Sequence, residues 1–451
     1  MKYRGDCMKK MMFILLYLLS PVVLIVLVFN SSPAKYLSTN LIYSMVLGVT
    51  AYSVLTWQFV LSARPKFIER NFGMDKLYRI HGLVAFLAIV MVFLHKTINE
   101  TIFTENLMTQ LGTISLITYA AISTLTILLM INSFVVQIQP FKAIKQWIAK
   151  LNILRYQHYR LLHNLTLVGL VLMQIHVLMT STAHQSVLVF NAFMAYFLIG
   201  LSFYLYHKWV KPWVHQKDMY EVSKVVEETP NIVSIYFEPT SGKIFKYRPG
   251  QFGFFRFLGT GISDEEHPFS ISSSPTQSQL SITVKDLGDY TRTIKNVKAG
   301  NLLQVEAPFG RFSYTHHMKA SGHIFIVGGI GITPVLSMLR HMRDTQFKKP
   351  VVLIWGLNTM SDYVCLDEFK GMIQQMPNLK AIPIIAKDPN YLGEKGYVDA
   401  DKLKRLLLPL AWITTAEFYV CGPAPLMEPS LKNLKAMGIS KHHIHHEKFS
   451  L

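Results

Sequence analysis

Four histidines lie inside otherwise apolar segments: His81 and His95 in one, His163 and His176 in another. The first two are fourteen residues apart and the second two thirteen. At ~1.5 Å per residue, the members of each pair stand roughly 20 Å apart along a helix axis, one near each face of a ~30 Å hydrocarbon layer. An imidazole in lipid is costly unless it is paired or ligated. Two helices that each offer histidines at two matching depths predict two haems stacked across a bilayer, each held by one histidine from each helix. Fourteen residues at ~100° return within about 40° of the starting face, whereas thirteen miss by about 140°. The second segment therefore needs a local bulge or kink, for which Gly169 is a candidate, or the two groups approach it from different sides.

The elements that must carry these histidines are apolar spans. Six can be drawn, at about 11–29, 40–62, 80–98, 113–136, 160–182 and 187–208, and residues 215–451 read as an ordinary soluble chain. The run Met11–Phe29 follows Lys9 and Lys10 and exceeds the ~7–15 residues of a signal-peptide core, so a retained first span is expected. Ser31-Ser32-Pro33-Ala34 is the alternative, a cleavage site. The net charge of +18 raises nucleic acid as a partner, but its distribution argues against one. Arg64, Lys66, Arg70, Lys76 and Arg79 lie between spans two and three; Lys142, Lys145, Lys150, Arg155 and Arg160 lie between spans four and five. The opposite connections are short and poor in base, so both termini are expected in the cytoplasm. His81 and His163 then lie near the inner face, and His95 and His176 near the outer. Only those pairings are level.

Other candidates are weaker. His158 reads as interfacial beside Arg155 and Arg160, and His184 as solvated in an outer connection. His442-His443-Ile444-His445-His446 alternates around Ile444 as an edge or terminal strand does, which is preferred here to a metal site. Three cysteines (Cys7, Cys365, Cys421) are too few and too scattered for a disulfide framework or a zinc site.

From Tyr220 the hydrophobic period becomes two. Residues 220–237, 252–257, 267–272 and 280–285 read as strands of a small antiparallel barrel. Residues 323–451 alternate strand and helix: 323–327, 334–343, 351–355, 366–375, 379–385, 402–408, 418–421 and 426–437, a doubly wound α/β pattern. Its first strand runs into Gly328-Gly329-Ile330-Gly331-Ile332-Thr333-Pro334 and a helix. Glycines let the backbone approach a pyrophosphate, the helix N-terminus offers N–H groups, and Pro334 suits a first helical turn. A nucleotide is the expected ligand.

With those motifs in place, the whole chain resembles the NADPH-oxidase and ferric-reductase superfamily. The resemblance implies a six-helix haem-binding membrane domain (1–212), an antiparallel β-barrel FAD domain (213–318) and an α/β doubly wound NAD(P) domain (319–451). The histidine spacing of fourteen and thirteen matches the family's two haem helices. Arg248-Pro249-Gly250-Gln251-Phe252 looks like the strand before its flavin site, and His267-Pro268-Phe269-Ser270-Ile271-Ser272-Ser273 like its FAD-binding segment. By that resemblance Ser270 meets the isoalloxazine edge, and His267 stands where many reductases place an arginine. Gly288-Asp289-Tyr290-Thr291 resembles the second FAD segment, with backbone N–H groups and Thr291 at the flavin pyrophosphate. Gly328, Gly329, Gly331, Thr333 and Pro334 match the nicotinamide pyrophosphate turn, and Cys421-Gly422-Pro423 the segment beside the nicotinamide ring. Phe449, in Glu447-Lys448-Phe449-Ser450-Leu451, matches the terminal aromatic that covers the flavin.

The implied cofactors are FAD, two haem b groups and NADPH or NADH; no arginine determinants in 355–362 separate the last two. No Asp-x-Asp-x-Asp-Gly loop precedes span one, so calcium gating is not expected. The implied route runs from cytoplasmic NAD(P)H to an outer acceptor, with oxygen first and a ferric or cupric chelate second. The outer connections are short, and Lys96 beside His95 is expected to attract a forming superoxide anion. Membrane lipid is the expected surrounding, with no nucleic acid and no obligatory protein subunit. The rivals are a flavin reductase merely tethered by its spans, disfavoured by the paired histidines, and a haem sensor, disfavoured by the nicotinamide and FAD segments.

Overall fold

The computed structural model describes residues 2–31, 37–100, 104–129, 161–214, 219–259, 261–263 and 265–448. The chain divides into two compact units, Met1–Pro212 and Trp213–Leu451.

The first unit is helical. Its main helices are α1 (Lys2–Ser31), α2 (Thr39–Ser62), α3 (Lys66–Phe72), α4 (Met74–Glu100), α5 (Leu107–Leu129), α6 (Thr166–Leu178) and α7 (Val187–Leu205). Five segments among the described residues are helical, long and apolar enough to cross a membrane: Met11–Ser31, Thr39–Ser62, Lys76–Glu100, Leu161–Leu178 and Val187–Val210. The fourth expected span is described only to Leu129. The α2 window is 67% buried, against 11–22% for the other four, so α2 is the central helix. The rest turn side chains such as Leu18, Leu83, Phe93 and Leu188 outward. A helix apolar on every side has no use for a water-facing surface. Polar bonds knit the interior: the Tyr52 hydroxyl lies 2.6 Å from both Gln174 Oε1 and the Phe193 carbonyl, joining α2, α6 and α7.

The second unit holds two six-stranded sheets. The first runs β4-β3-β6-β1-β2-β5 and is antiparallel throughout, from β1 (Met219–Thr229), β2 (Ile232–Pro239), β3 (Phe252–Leu258), β4 (His267–Ser270), β5 (Leu280–Lys285) and β6 (Leu302–Phe309). An Ile271–Ile282 bridge, with Ser272 N–H donating to the Ser281 carbonyl at 2.8 Å, joins the two ends into a barrel. The expected single strand over 220–237 is two strands, because Pro230 and Asn231 form the turn of a hairpin. The pattern also missed β6, whose alternating burial is interrupted by three consecutive buried residues.

The second sheet runs β10-β9-β8-β7-β11-β12 and is parallel. Its strands are β7 (His323–Gly328), β8 (Val351–Leu357), β9 (Leu379–Ile385), β10 (Glu394–Lys395), β11 (Glu417–Cys421) and β12 (Ile444–Glu447). β7 and β8 read as near-continuous apolar runs because helices cover both faces of the sheet. Strand order reverses at β7, between β8 and β11. The carboxyl ends at such a reversal form the crevice where open α/β sheets take ligands. The histidine-rich end is the edge strand β12, as its alternation indicated.

Candidate functional site

In the helical unit, the structure brings the four histidines together in the expected pairs. The His81 and His163 rings are 6.3 Å apart and the His95 and His176 rings 6.4 Å apart, centre to centre. Two imidazoles sharing one ion at metal–nitrogen bonds of roughly 2 Å have ring centres roughly 6 Å apart. The donor set and the spacing therefore fit a metal-centred group that each pair would hold.

The awkward thirteen-residue spacing is resolved next to His163. Asn164 N–H donates to the Leu161 carbonyl at 3.0 Å, Leu165 to Leu162 at 2.9 Å, and Leu167 to Asn164 at 3.0 Å, all three-residue bonds. Such a tight turn advances roughly 120° per residue instead of 100°, which swings His163 toward the His176 face. Gly169 has a different task. A Cβ there would lie 3.0 Å from the Tyr119 ring, so its smallness seats α5 against α6.

The His95/His176 pair is oriented by one device used twice. His95 Nδ1 lies 2.8 Å from the Ser44 carbonyl, and His176 Nδ1 lies 2.8 Å from the Met108 carbonyl. A carbonyl only accepts, so both Nδ1 atoms carry the proton and both Nε2 atoms keep the lone pair a metal needs. Four residues beyond each carbonyl stands a glycine. A Cβ on Gly48 would lie 2.8 Å from the His95 ring, and one on Gly112 2.9 Å from the His176 ring. The missing side chains let each imidazole reach a helix backbone. Asn99 Nδ2 faces His95 Nε2 at 3.2 Å and would give way to an iron. The His81/His163 pair is held otherwise: His163 Nδ1 is 3.4 Å from Thr126 Oγ1, and His81 Nδ1 is buried with no hydrogen-bond partner among the described residues.

An apolar cleft of ≈ 520 Å³ lies on α4 and α5, lined by Ile89, Phe93, Lys96, Leu116 and Ile117 among others. Lys96 is paired with Glu100 one helical turn on, so its charge is partly spent.

In the second unit the expected residues collect on loops at strand ends. Ser270 ends β4, and its Oγ is buried with no hydrogen-bond partner among the described residues, an orphan suited to a flavin edge. His267 stacks on Tyr290 at 3.5 Å between ring centres and bonds Glu265 at 2.9 Å. Pro268 and Phe269 pair with β3 across from Phe254 and Gly253. The Thr291 hydroxyl accepts from the Leu287 and Gly288 N–H groups at 2.9 Å each, so it caps its own turn. Ser272 and Ser273 are also bonded within the protein. Ser272 Oγ meets Ser281 Oγ at 2.9 Å, and the Ser273 carbonyl accepts from Tyr247 and Ser337.

The glycine turn has the geometry its sequence suggests. β7 ends at Gly328, and a tight turn over Gly329–Gly331 leads into the Ile332–Asp344 helix. Gly329 has φ +50° with open space where a Cβ would stand, and a Cβ on Gly331 would lie 2.6 Å from the Cys421 carbonyl. The segments Gly328–Gly331 and Cys421–Pro423 therefore meet at the carboxyl ends of β7 and β11. Thr333 and Cys421 are buried there, with Thr333 Oγ1 donating to the Ile330 carbonyl at 3.1 Å. The glycine turn and the positive end of the helix dipole make this a natural seat for a pyrophosphate. Phe449 lies outside the described residues.

Sequence reasoning missed the clamp between the two sheets. Arg340, nearly fully buried, donates from Nε and Nη2 to Glu368 at 2.8 and 2.6 Å, and from Nη1 to the Ser272 carbonyl at 2.8 Å. Burial works to raise the Glu368 carboxyl, but Arg340 and Arg343 outweigh it and hold it below the usual carboxylate range. Beside it, burial pushes the Cys365 thiol up to about 12, which removes it as a nucleophile.

Comparison with known proteins bears on this unit. Residues 218–330 match the family described as FAD-binding domain, and residues 325–432 match the oxidoreductase NAD-binding domain. The reductase component of propane 2-monooxygenase from Rhodococcus jostii (strain RHA1) is 26% identical over 239 residues, 51% of this chain and 62% of the relative. The stachydrine N-demethylase reductase subunit of Rhizobium meliloti (strain 1021) is 28% identical over 227 residues, covering 49% and 64%. A flavohemoprotein of Halalkalibacterium halodurans is 27% identical over 252 residues, covering 51% and 58%. The chain thus spans about 60% of the length of these relatives. It carries an FAD-binding domain followed by an oxidoreductase NAD-binding domain, and the two matches support FAD and NAD(P)H as its ligands.

Proposed function

We propose that the protein is a membrane-spanning oxidoreductase that passes electrons from cytoplasmic NAD(P)H, by way of FAD and two b-type haems, to a small acceptor on the opposite side. Oxygen, yielding superoxide, is the first choice of acceptor. The observation that carries this reading is the occurrence of two imidazole pairs with equal ring spacing on the same helices. When bound, FAD supplies the change from two-electron to one-electron chemistry, and the haems supply one-electron carriage. The chain supplies position. Ser270 and the turns at Gly288 and Gly328–Gly331 would hold flavin and nicotinamide; His81 with His163, and His95 with His176, would hold iron. The apolar helices keep water from the path, and the Nδ1–carbonyl bonds fix the outer ligands before any group arrives.

A ferric or cupric chelate is the second reading. It is favoured by the pairing of Lys96 with Glu100, which weakens the cation expected to draw a nascent anion to the outer face.

The test uses purified protein with FAD and NAD(P)H under anaerobic conditions. Reduction of a b-type haem spectrum is expected; an unchanged spectrum beside active flavin reduction would leave the helices a mere tether. Oxygen or ferric citrate is then admitted. Superoxide-dismutase-sensitive cytochrome c reduction supports oxygen, and rapid anaerobic iron reduction without it supports the chelate.

A further inference from the structure

A second cluster of imidazoles stands in the parallel-sheet half of the second unit, on residues the electron path does not use. Glu417 opens β11, and its side chain is 9% exposed. Its Oε2 lies 2.6 Å from His445 Nε2, and its Oε1 lies 3.0 Å from His443 Nδ1 and 3.7 Å from His317 Nδ1. His317 and His445 lie face to face, with ring centres 4.2 Å apart. One ligand atom from each of His317, Glu417 and His445 falls within 4.8 Å of the others. A further imidazole stands next to them. His323 pairs with Glu417 across β7 and β11, is fully buried, and has no hydrogen-bond partner on either nitrogen among the described residues.

Three imidazoles converge on one nearly buried carboxylate, and one of them, His317, stands at 3.7 Å, beyond a hydrogen bond. A stacked pair of rings beside a fourth, bare imidazole is also an expensive way merely to fasten an edge strand. Two imidazoles and a carboxylate are instead a common ligand set for first-row divalent ions. Bonds of roughly 2.0–2.2 Å need ligand atoms roughly 3.5 Å apart, so closure from the observed spacing takes side-chain rotation of about an ångström. We propose that His317, Glu417 and His445 form a binding site for a divalent transition-metal ion, with zinc as its simplest occupant and a fourth position open to water. The ion would tie together the segment before β7, the start of β11 and the strand β12. It is a site in the protein's soluble half, separate from the paired histidines of the helices.

The probe is zinc chloride, titrated into full-length, flavin-loaded protein that has been stripped with a chelator, with iron counted separately. One zinc per chain is expected at this site, and His445→Ala and Glu417→Gln should each weaken binding by about tenfold or more. The control His442→Ala, an exposed neighbour outside the cluster, should bind as the wild type does. Equal affinity in the wild type, His445→Ala and Glu417→Gln overturns the proposal. A measurement without any variant guards against misfolding: zinc should protect His445 from diethyl pyrocarbonate, read by peptide mass spectrometry. Equal modification with and without zinc overturns it as well.

Discussion

The two units place their chemical groups by opposite means. In the helical unit, the histidines sit in apolar helical spans, and neighbouring helices orient the His95/His176 pair through backbone carbonyls laid open by glycine. In the second unit, Ser270, the Gly328–Gly331 turn and Cys421–Pro423 sit where strands end, and a buried arginine–carboxylate clamp holds the loops. A helix fixes the spacing of its own side chains but leaves their rotation to neighbours. A strand end fixes direction, but which loops meet there depends on sheet order. The first kind of site is legible as a period, the second only as a motif.

The largest effect should come from removing an outer ligand. His95→Ala or His176→Ala is expected to cut haem content from two per chain to one and to abolish reduction of the outer acceptor, while flavin-dependent dye reduction continues. Pyridine haemochrome analysis and a dye assay read both. Two low-spin haems in either variant would break the pairing on which the comparison rests.

The clamp is the corresponding test in the second unit. Arg340→Met leaves half-buried Glu368 with Arg343 alone and strips the Ser272 carbonyl of its donor, and should cost about 1–3 kcal/mol in a flavin-release melt. Arg340→Met with Glu368→Met should recover part of that loss, because the weakly paired carboxylate is gone. The Glu368 carboxyl is held low in the folded protein, so the clamp's contribution is full above about pH 5 and is lost as pH falls through the depressed value. A melt insensitive to pH between about 5 and 3 in the wild type would contradict that assignment.

An effect of similar size sharpens the first half of the comparison. Gly48→Ala and Gly112→Ala each place a methyl inside contact distance of an imidazole, at an expected cost of about 1–3 kcal/mol. The more telling readout is the low-spin EPR spectrum of one haem, which should shift while the other keeps its position. Gly82→Ala, where a Cβ would meet nothing within 4 Å, should change neither signal. Equal spectra in all three would reduce the glycines to ordinary packing.

The smallest effect is expected at Ser270. Its hydroxyl has no described partner, so Ser270→Ala should leave stability unchanged, yet slow hydride transfer to flavin by roughly three- to tenfold through one lost hydrogen bond. Stopped-flow flavin bleaching checks it. A stability loss with an unchanged rate would make the hydroxyl structural.

Much of this was written in the chain. Apolar runs of about twenty residues, histidines at intervals of fourteen and thirteen, the switch to period two at Tyr220, and glycines between a strand and a helix each report a local period or turn, and local geometry is a property of the sequence. The pairing of His81 with His163, and of His95 with His176, followed from depth alone. The rest needed neighbours distant in the chain. Ser44 with Gly48 and Met108 with Gly112 are unremarkable in an apolar helix until α4 and α6 bring imidazoles against them. The tight turn at Asn164 carries no glycine or proline to announce it. Ser272 and Ser273 read as flavin contacts, and only the fold adds that Ser281, Tyr247, Ser337 and Arg340 bond them from elsewhere in the chain. Glu417 meets His317 and His445 only because β11 lies between β7 and β12. Spacing is set by bonds along the chain. Contact is set by the register and packing of whole elements, and only the folded structure decides which side chain a given atom finally meets.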